Sequence, residues 1–169
     1  MTLIVCPLDC VAEQIATRKP ARLISLLSPD GLAPPVWSGG PHLSLRFHDI
    51  AEPRDGLTPC DVAMIDQLLA FGAAWREPEP MLVHCWFGIS RSPAAGYILA
   101  CAADPSRDED AIAQALRLAA PEATPNPLLV RLADARLGRQ GRMVQAITRI
   151  GRGREAAHGV VFTLNARSG

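Results

Sequence analysis

Lysine is nearly missing from this chain: Lys19 stands alone, and every other basic side chain is an arginine. Net charge is missing as well, because seventeen Lys and Arg balance seventeen Asp and Glu. No overall field therefore draws the protein to nucleic acid or to a membrane surface. No window approaches the roughly 18 consecutive apolar residues that a membrane-crossing helix needs. The opening MTLIVCPLDC has no basic leader ahead of a long apolar stretch, so it does not read as a signal peptide. The five cysteines are an odd number without such a leader, and they read as free thiols in a reducing cytoplasm. Cys6 and Cys10 are four apart, but no second Cys or His pair stands at zinc spacing. A structural zinc needs four ligands, so the expectation is no metal and no cofactor.

What remains is 169 residues, 49% hydrophobic and 20% charged, enough for one well-cored globular domain. Thr2–Cys6, Arg22–Leu27 and Met81–Val83 are short apolar runs that read as buried strands. His42–Phe47 alternates with period two and makes a fourth strand, ending just before His48-Asp49. Between them, Ser28-Pro29-Asp30-Gly31 signals a turn, and residues 31–41 are a Pro- and Gly-rich loop. Helices are predicted over Val11–Thr17, from Thr58 through Phe71 or Gly72, and from Ser92 to Ala103. Three more are predicted over Asp108–Ala119, Asn126–Leu137 and Met143–Ile150. Thr58-Pro59-Cys60-Asp61 looks like a helix start with Thr58 as N-cap, and Ser106-Arg107-Asp108-Glu109 like a capping box. Strands alternating with helices, then helices in series, predict a single α/β domain with a mostly parallel central sheet flanked by helices. The domain is expected over residues 1–150, with 151–169 as a C-terminal tail.

The stretch LVHCWFGISRSPA, residues 82–94, sits where ligands bind in open α/β sheets, at the carboxyl end of a buried strand. Cys85 is either packing or chemistry, and its surroundings argue for chemistry. From Cys85 to Arg91 a five-residue loop joins the strand to a helix. So short a loop can turn successive N–H groups towards one point, an anion nest to which the helix N-terminus adds partial positive charge. Gly88 supplies the freedom for the turn. Arg91 can fork two N–H bonds onto an oxyanion, and Pro93 fits the first helical turn. In that field the Cys85 thiol is expected to ionise easily. His84 is expected to help as a nearby cation or as a donor fixing the loop. The Ser92 hydroxyl is placed to bond the leaving thiolate. A thiolate beneath a bound phosphate is a nucleophile aimed at phosphorus.

The pattern His84-Cys85-x-x-Gly88-x-Ser90-Arg91-Ser92 resembles the signature of cysteine-dependent protein tyrosine phosphatases, in the compact dual-specificity group and of bacterial type. The resemblance extends loosely over Leu23–Leu132, and PNPLLVRL (125–132) is similar to the Pro-Asn helix start that follows in these enzymes. It implies the phosphatase fold, a phosphocysteine intermediate on Cys85, and phosphate binding by Arg91. It implies substrate contacts along Trp86, Phe87, Gly88, Ile89 and Ser90. Phe87 departs from the alanine usual in the group, which leaves the substrate range open. The loop holds no lysine, which favours an aryl phosphate over an inositol headgroup.

The resemblance also implies an aspartate general acid some thirty-odd residues upstream. Asp49, Asp55 and Asp61 stand 36, 30 and 24 residues before Cys85. Asp49 is favoured because it directly follows a strand, in LRFHDIAEP. Asp55 is the alternative, Glu52 a neighbour able to hold or replace it, and Asp61 is discounted as a capping residue. Asn126 is expected to cap its helix and, by the resemblance, to support the phosphate loop. A disulfide from Cys6 or Cys10 is a further way to protect Cys85. The expected function is hydrolysis of phosphotyrosine, or of phosphoserine and phosphothreonine, in a phosphorylated protein, or of a small aryl phosphate. Neither a nucleic acid nor a membrane is expected as partner, and the oligomeric state stays open. A pseudophosphatase that docks phosphorylated partners, and a small-molecule or phosphoinositide phosphatase, are the alternatives.

Overall fold

The apolar runs become five strands, and the computed structural model describes residues 1–166. The strands are β1 (Thr2–Pro7), β2 (Arg22–Leu27), β3 (His42–Arg46), β4 (Met81–Cys85) and β5 (Phe162–Asn165). They form one sheet in the order β3-β2-β4-β1-β5. Pairing is parallel between β2 and β3, β2 and β4, and β1 and β4, while β5 runs antiparallel to β1. β1, β2 and β4 are buried almost throughout, which is why they read as apolar runs rather than as alternation: both faces of a parallel sheet are covered.

On one face lies α1 (Val11–Arg18), packed with Ile4, Cys6, Leu23 and Leu82. The other face carries α2 (Val62–Ala73), α3 (Arg91–Ala103), α4 (Glu109–Ala119), α5 (Pro127–Arg136) and α6 (Arg142–Ile150). α3 is the central helix of that layer, buried from Arg91 through Cys101. Its Tyr97 hydroxyl donates within reach of Glu109 O and Met143 O, at 3.2 and 3.4 Å, so a buried polar tip is satisfied by two neighbouring helices.

Two expectations are corrected. α2 begins at Val62 with Asp61 as N-cap, its carboxylate accepting from Met64 N at 2.8 Å. Thr58 is unavailable as a cap because its backbone is bonded to His48: His48 N donates to Thr58 O, and Thr58 N donates to His48 Nδ1. α4 is capped by Asp108, which accepts from Ala111 N, rather than by Ser106, whose hydroxyl turns back to Asp104. Beyond residue 150 the chain returns to the sheet as an edge strand. β5 lies in the central sheet, and Ala166 N donates to Met1 O.

Candidate active site

β4 ends at Cys85 and α3 begins at Arg91, so residues 86–90 form the expected strand-to-helix loop. Four of its backbone carbonyls are taken from outside. Trp86 O accepts from Leu8 N (3.1 Å), Phe87 O from Gly159 N (2.7 Å), Ile89 O from Thr124 N (2.8 Å) and Ser90 O from Asn126 N (3.2 Å). In a trans peptide the C=O and the following N–H point in opposite directions. Carbonyls held outward therefore turn the N–H groups of Phe87, Gly88, Ser90 and Arg91 inward. This is an anion nest built at the N-terminus of α3, where the helix dipole adds to it.

Cys85 Sγ sits in this ring, 2% exposed, accepting from Gly88 N at 3.3 Å and lying 3.1 Å from Ser92 Oγ. Gly88 has φ +70, and a Cβ there would come within 2.8 Å of Pro7 N, so turn and close approach both require glycine. Burial pushes Cys60 and Cys101 up to about 12 and raises Cys6 as well, as expected of inert core cysteines. Cys6 is in register with His84, on the sheet face opposite Cys85, so the protective disulfide expected of it is not available.

Arg91 is 5% exposed, yet it opens the helix beside the nest. Its Nη1 donates to Phe47 O (2.9 Å) and to Ser28 Oγ (3.3 Å), and its guanidinium lies 5.9 Å from the Phe47 ring centre. Nε is buried without a hydrogen-bond acceptor, and Asp49 Oδ2 is 3.9 Å away. A buried unpaired donor on a cation costs about 1–3 kcal/mol or more. An oxyanion in the nest would supply the acceptor.

Asp49 faces the same loop. Its Oδ1 accepts from Ser90 Oγ and from Asn126 Nδ2, both at 2.7 Å. Asn126 does two jobs: its Oδ1 caps α5 through Leu128 N and Leu129 N, while its Nδ2 holds Asp49 and Ile50 O. The His48–Thr58 pair closes the loop that carries Asp49. Asp55 and Glu52 lie in its exposed part, and Asp61 is engaged at the α2 cap. Among the three aspartates weighed from sequence, Asp49 is the one that bonds to a residue of the 86–90 loop.

His84 is not the cation expected. It is fully buried, and burial lowers its pKa to about 4, with the positive charges of His42 and Arg91 adding to the effect. Its Nε2 lies 2.6 Å from Ser25 Oγ, which in turn lies 2.8 Å from His42 Nε2. Ser25 has one hydrogen, so at most one of the two imidazoles can accept from it. His84 Nδ1 faces Cys85 O at 3.4 Å and carries its ring proton there. Hence Ser25 donates to His84, and His42 donates to Ser25. The other role weighed from sequence, a donor that fixes the loop, would run through the contact of Nδ1 with Cys85 O, where β4 ends.

Trp86 and Phe87 stay at the surface, 36% and 55% exposed, with ring centres 6.1 Å apart. Together with Pro7, Leu8, Leu32 and His158 they border a mainly apolar cavity of about 370 Å³ beside the nest. Phe87 therefore shapes the rim rather than the floor. Ile89 lines a second depression, with Thr124, Arg152 and Arg154. Ser25, Ser28, Phe47 and Gly159 were missed from the sequence. Ser25 had a signal, a lone polar residue inside an apolar strand; Gly159 had none, because its role depends on a contact 72 positions away.

The buried cysteine ends a central strand, the arginine opens the following helix and the aspartate is bonded to the loop between them, all on a dual-specificity phosphatase fold. The fold is shared with DUSP15 (TM-score 0.62, 18% identity, 89% of this chain and 94% of that one). It is shared with human DUSP28 (TM-score 0.61, 20% identity, 79% and 86%). A third match is the human tyrosine phosphatase-like serine/threonine/tyrosine-interacting protein (TM-score 0.61, 18% identity, 82% and 92%). No protein-family model matches the sequence, and no curated protein does.

Proposed function

We propose that this protein is a phosphoric monoester hydrolase acting on phosphorylated proteins, phosphotyrosine foremost, through a phosphocysteine intermediate. The observation that carries the reading is the orientation of one ring of groups. Cys85 Sγ lies inside the nest, Arg91 Nε is an unpaired buried donor beside it, and Asp49 is bonded to the loop at Ser90.

In the proposed first step the Cys85 thiolate attacks phosphorus, the S–P bond forms and the P–O bond to the leaving group breaks. Loop N–H groups and Arg91 hold the charge on the three non-bridging oxygens. Asp49 gives its proton to the leaving oxygen. In the second step Asp49 takes a proton from water, the water oxygen bonds to phosphorus, and the S–P bond breaks. Ser92 Oγ, 3.1 Å from Sγ, donates to the departing thiolate. No step calls for a metal, and residues 1–166 include no cluster of three His, Cys, Asp or Glu side chains able to hold one. The apolar rim of Leu32, Trp86 and Phe87 suits an aromatic leaving group better than a polyanionic headgroup.

The test is turnover of p-nitrophenyl phosphate and of phosphotyrosine, phosphoserine and phosphothreonine peptides with a chelator present. Turnover is expected from the wild type and loss from Cys85→Ser. Binding of phosphopeptide without turnover would instead make the protein a docking module. A preference for phosphoinositides over every peptide would overturn the protein-substrate reading.

A further inference from the structure

One peptide plane of the phosphate loop is gripped at both ends. Between Phe87 and Gly88, the carbonyl accepts from Gly159 N at 2.7 Å and the N–H donates to Cys85 Sγ at 3.3 Å. Because Gly88 lacks a Cβ, the opposite orientation of that plane is also sterically open to it. Flipped, the plane would aim a carbonyl oxygen, rather than an N–H, at the thiolate and at any bound oxyanion.

The residues that prevent this come from the segment between α6 and β5. Arg117 Nη2 binds Gly151 O (2.7 Å), and its Nη1 reaches Pro121 O and Ala123 O (2.7 and 2.9 Å). Gly153 N donates to Thr124 Oγ1 (3.0 Å) and Arg154 N to Pro121 O (3.0 Å). Val160 N donates to Glu122 Oε1 at 2.7 Å, and Glu122 is only 6% exposed. Thr124, in the same turn, donates its own N–H to Ile89 O. At the contact point the fit is close: a Cβ on Gly159 would stand 2.5 Å from Gly88 O.

We propose that residues 151–160 are a strap that sets the conformation of the phosphate loop, with Gly159 as its positioning residue and Glu122 as its anchor. The inference rests on the reading of the loop as an oxyanion cradle. Gly159 touches neither substrate nor thiol; it acts through the Phe87–Gly88 peptide.

The experiment measures tungstate affinity by calorimetry, kcat/KM for p-nitrophenyl phosphate, and thermal stability on four proteins: wild type, Gly159→Ala, Glu122→Ala and Glu122→Gln. A hydrogen bond to a charged group is at stake, so Gly159→Ala is expected to weaken tungstate binding about tenfold or more. Its kcat/KM should fall in step, measured well below the melting temperature. Glu122→Ala, which frees Val160 N, should do the same to a lesser degree, and Glu122→Gln, which keeps an acceptor, should restore both readouts. A merely structural strap would lower the melting temperature and leave the affinity of the folded protein unchanged. Tungstate affinity within twofold of wild type in both Gly159→Ala and Glu122→Ala would therefore overturn the proposal. Should Gly159→Ala not fold, the Glu122 pair decides alone. Wild type that neither binds tungstate nor turns over would remove the phosphatase reading itself, a distinguishable failure.

Discussion

Asp49 is held by Ser90 and Asn126 on one oxygen, which leaves Oδ2 facing the cradle near Arg91 Nε. If that carboxyl group protonates the leaving oxygen, the cost of Asp49→Asn depends on how badly the proton is needed. Phenyl and alkyl phosphates should slow by about 10²–10⁴-fold. An activated nitroaryl phosphate should suffer much less, and the basic limb of the pH–rate profile should flatten. Asp55→Asn should show neither effect. Equal loss across leaving groups would assign Asp49 to structure alone. Arg91→Lys keeps the charge but loses the planar fork that Phe47 O and Ser28 Oγ orient. Both oxyanion affinity and kcat should drop, and a lysine variant with normal kinetics would refute the fork. His84 makes a different prediction, about stability. Its pKa is near 4 in the fold and about 6.5 in an unfolded chain, so between those values the unfolded state binds more protons. His84 thus contributes full stability above pH 6.5 and loses it as pH falls towards 4, roughly 3 kcal/mol in all. Melting temperature should fall steeply from pH 7 to 5, and a His84→Gln variant should show a shallower fall.

Elements differ in how much of them the residues announced. β4, the loop and the start of α3 were legible because Cys85, Gly88, Arg91 and Pro93 each meet a local demand: an end of strand, a left-handed turn, a helix opening. α5 was legible through Asn126 for the same reason, and its cap geometry followed. The start of α2 was not. Thr58-Pro59-Cys60-Asp61 satisfies the local rules for a cap at Thr58, but the His48–Thr58 pair uses that backbone first. A partner ten residues away outranked propensity, and Asp61 took the cap. His84 misled for a similar reason: its charge state is decided by depth in the sheet, which a single position cannot reveal. Asn126 carries a prediction at this scale. Asn126→Ala removes an N-cap, worth about 1 kcal/mol, and also releases Asp49. It should cost stability and, separately, reproduce the leaving-group dependence of Asp49→Asn in weaker form. Lost stability with unchanged leaving-group dependence would confine Asn126 to capping.

At the scale of the whole molecule, the site is a convergence of distant pieces. Leu8, Thr124, Asn126 and Gly159 each fix one loop carbonyl, and Phe47 and Ser28 orient Arg91. Only the loop itself is contiguous in sequence, so this convergence was unreadable there. β5 pairs with β1 from the far end of the chain, with Phe162 opposite Val5. Removing residues 152–169 should therefore lower the melting temperature and abolish tungstate binding together. A truncated protein that still bound tungstate would show the cradle to be self-sufficient.

The β1–β5 pairing also orders events in time. A ribosome delivers Cys85 and Arg91 well before Gly159, and α3 can form while the Phe87 carbonyl still lacks its partner. Closing so long a loop is entropically costly and slow compared with forming helices. The nascent chain would thus carry Cys85 without a finished loop around it until Gly159 follows, 74 residues later. On the proposed function, activity should arrive late and abruptly, when β5 docks on β1.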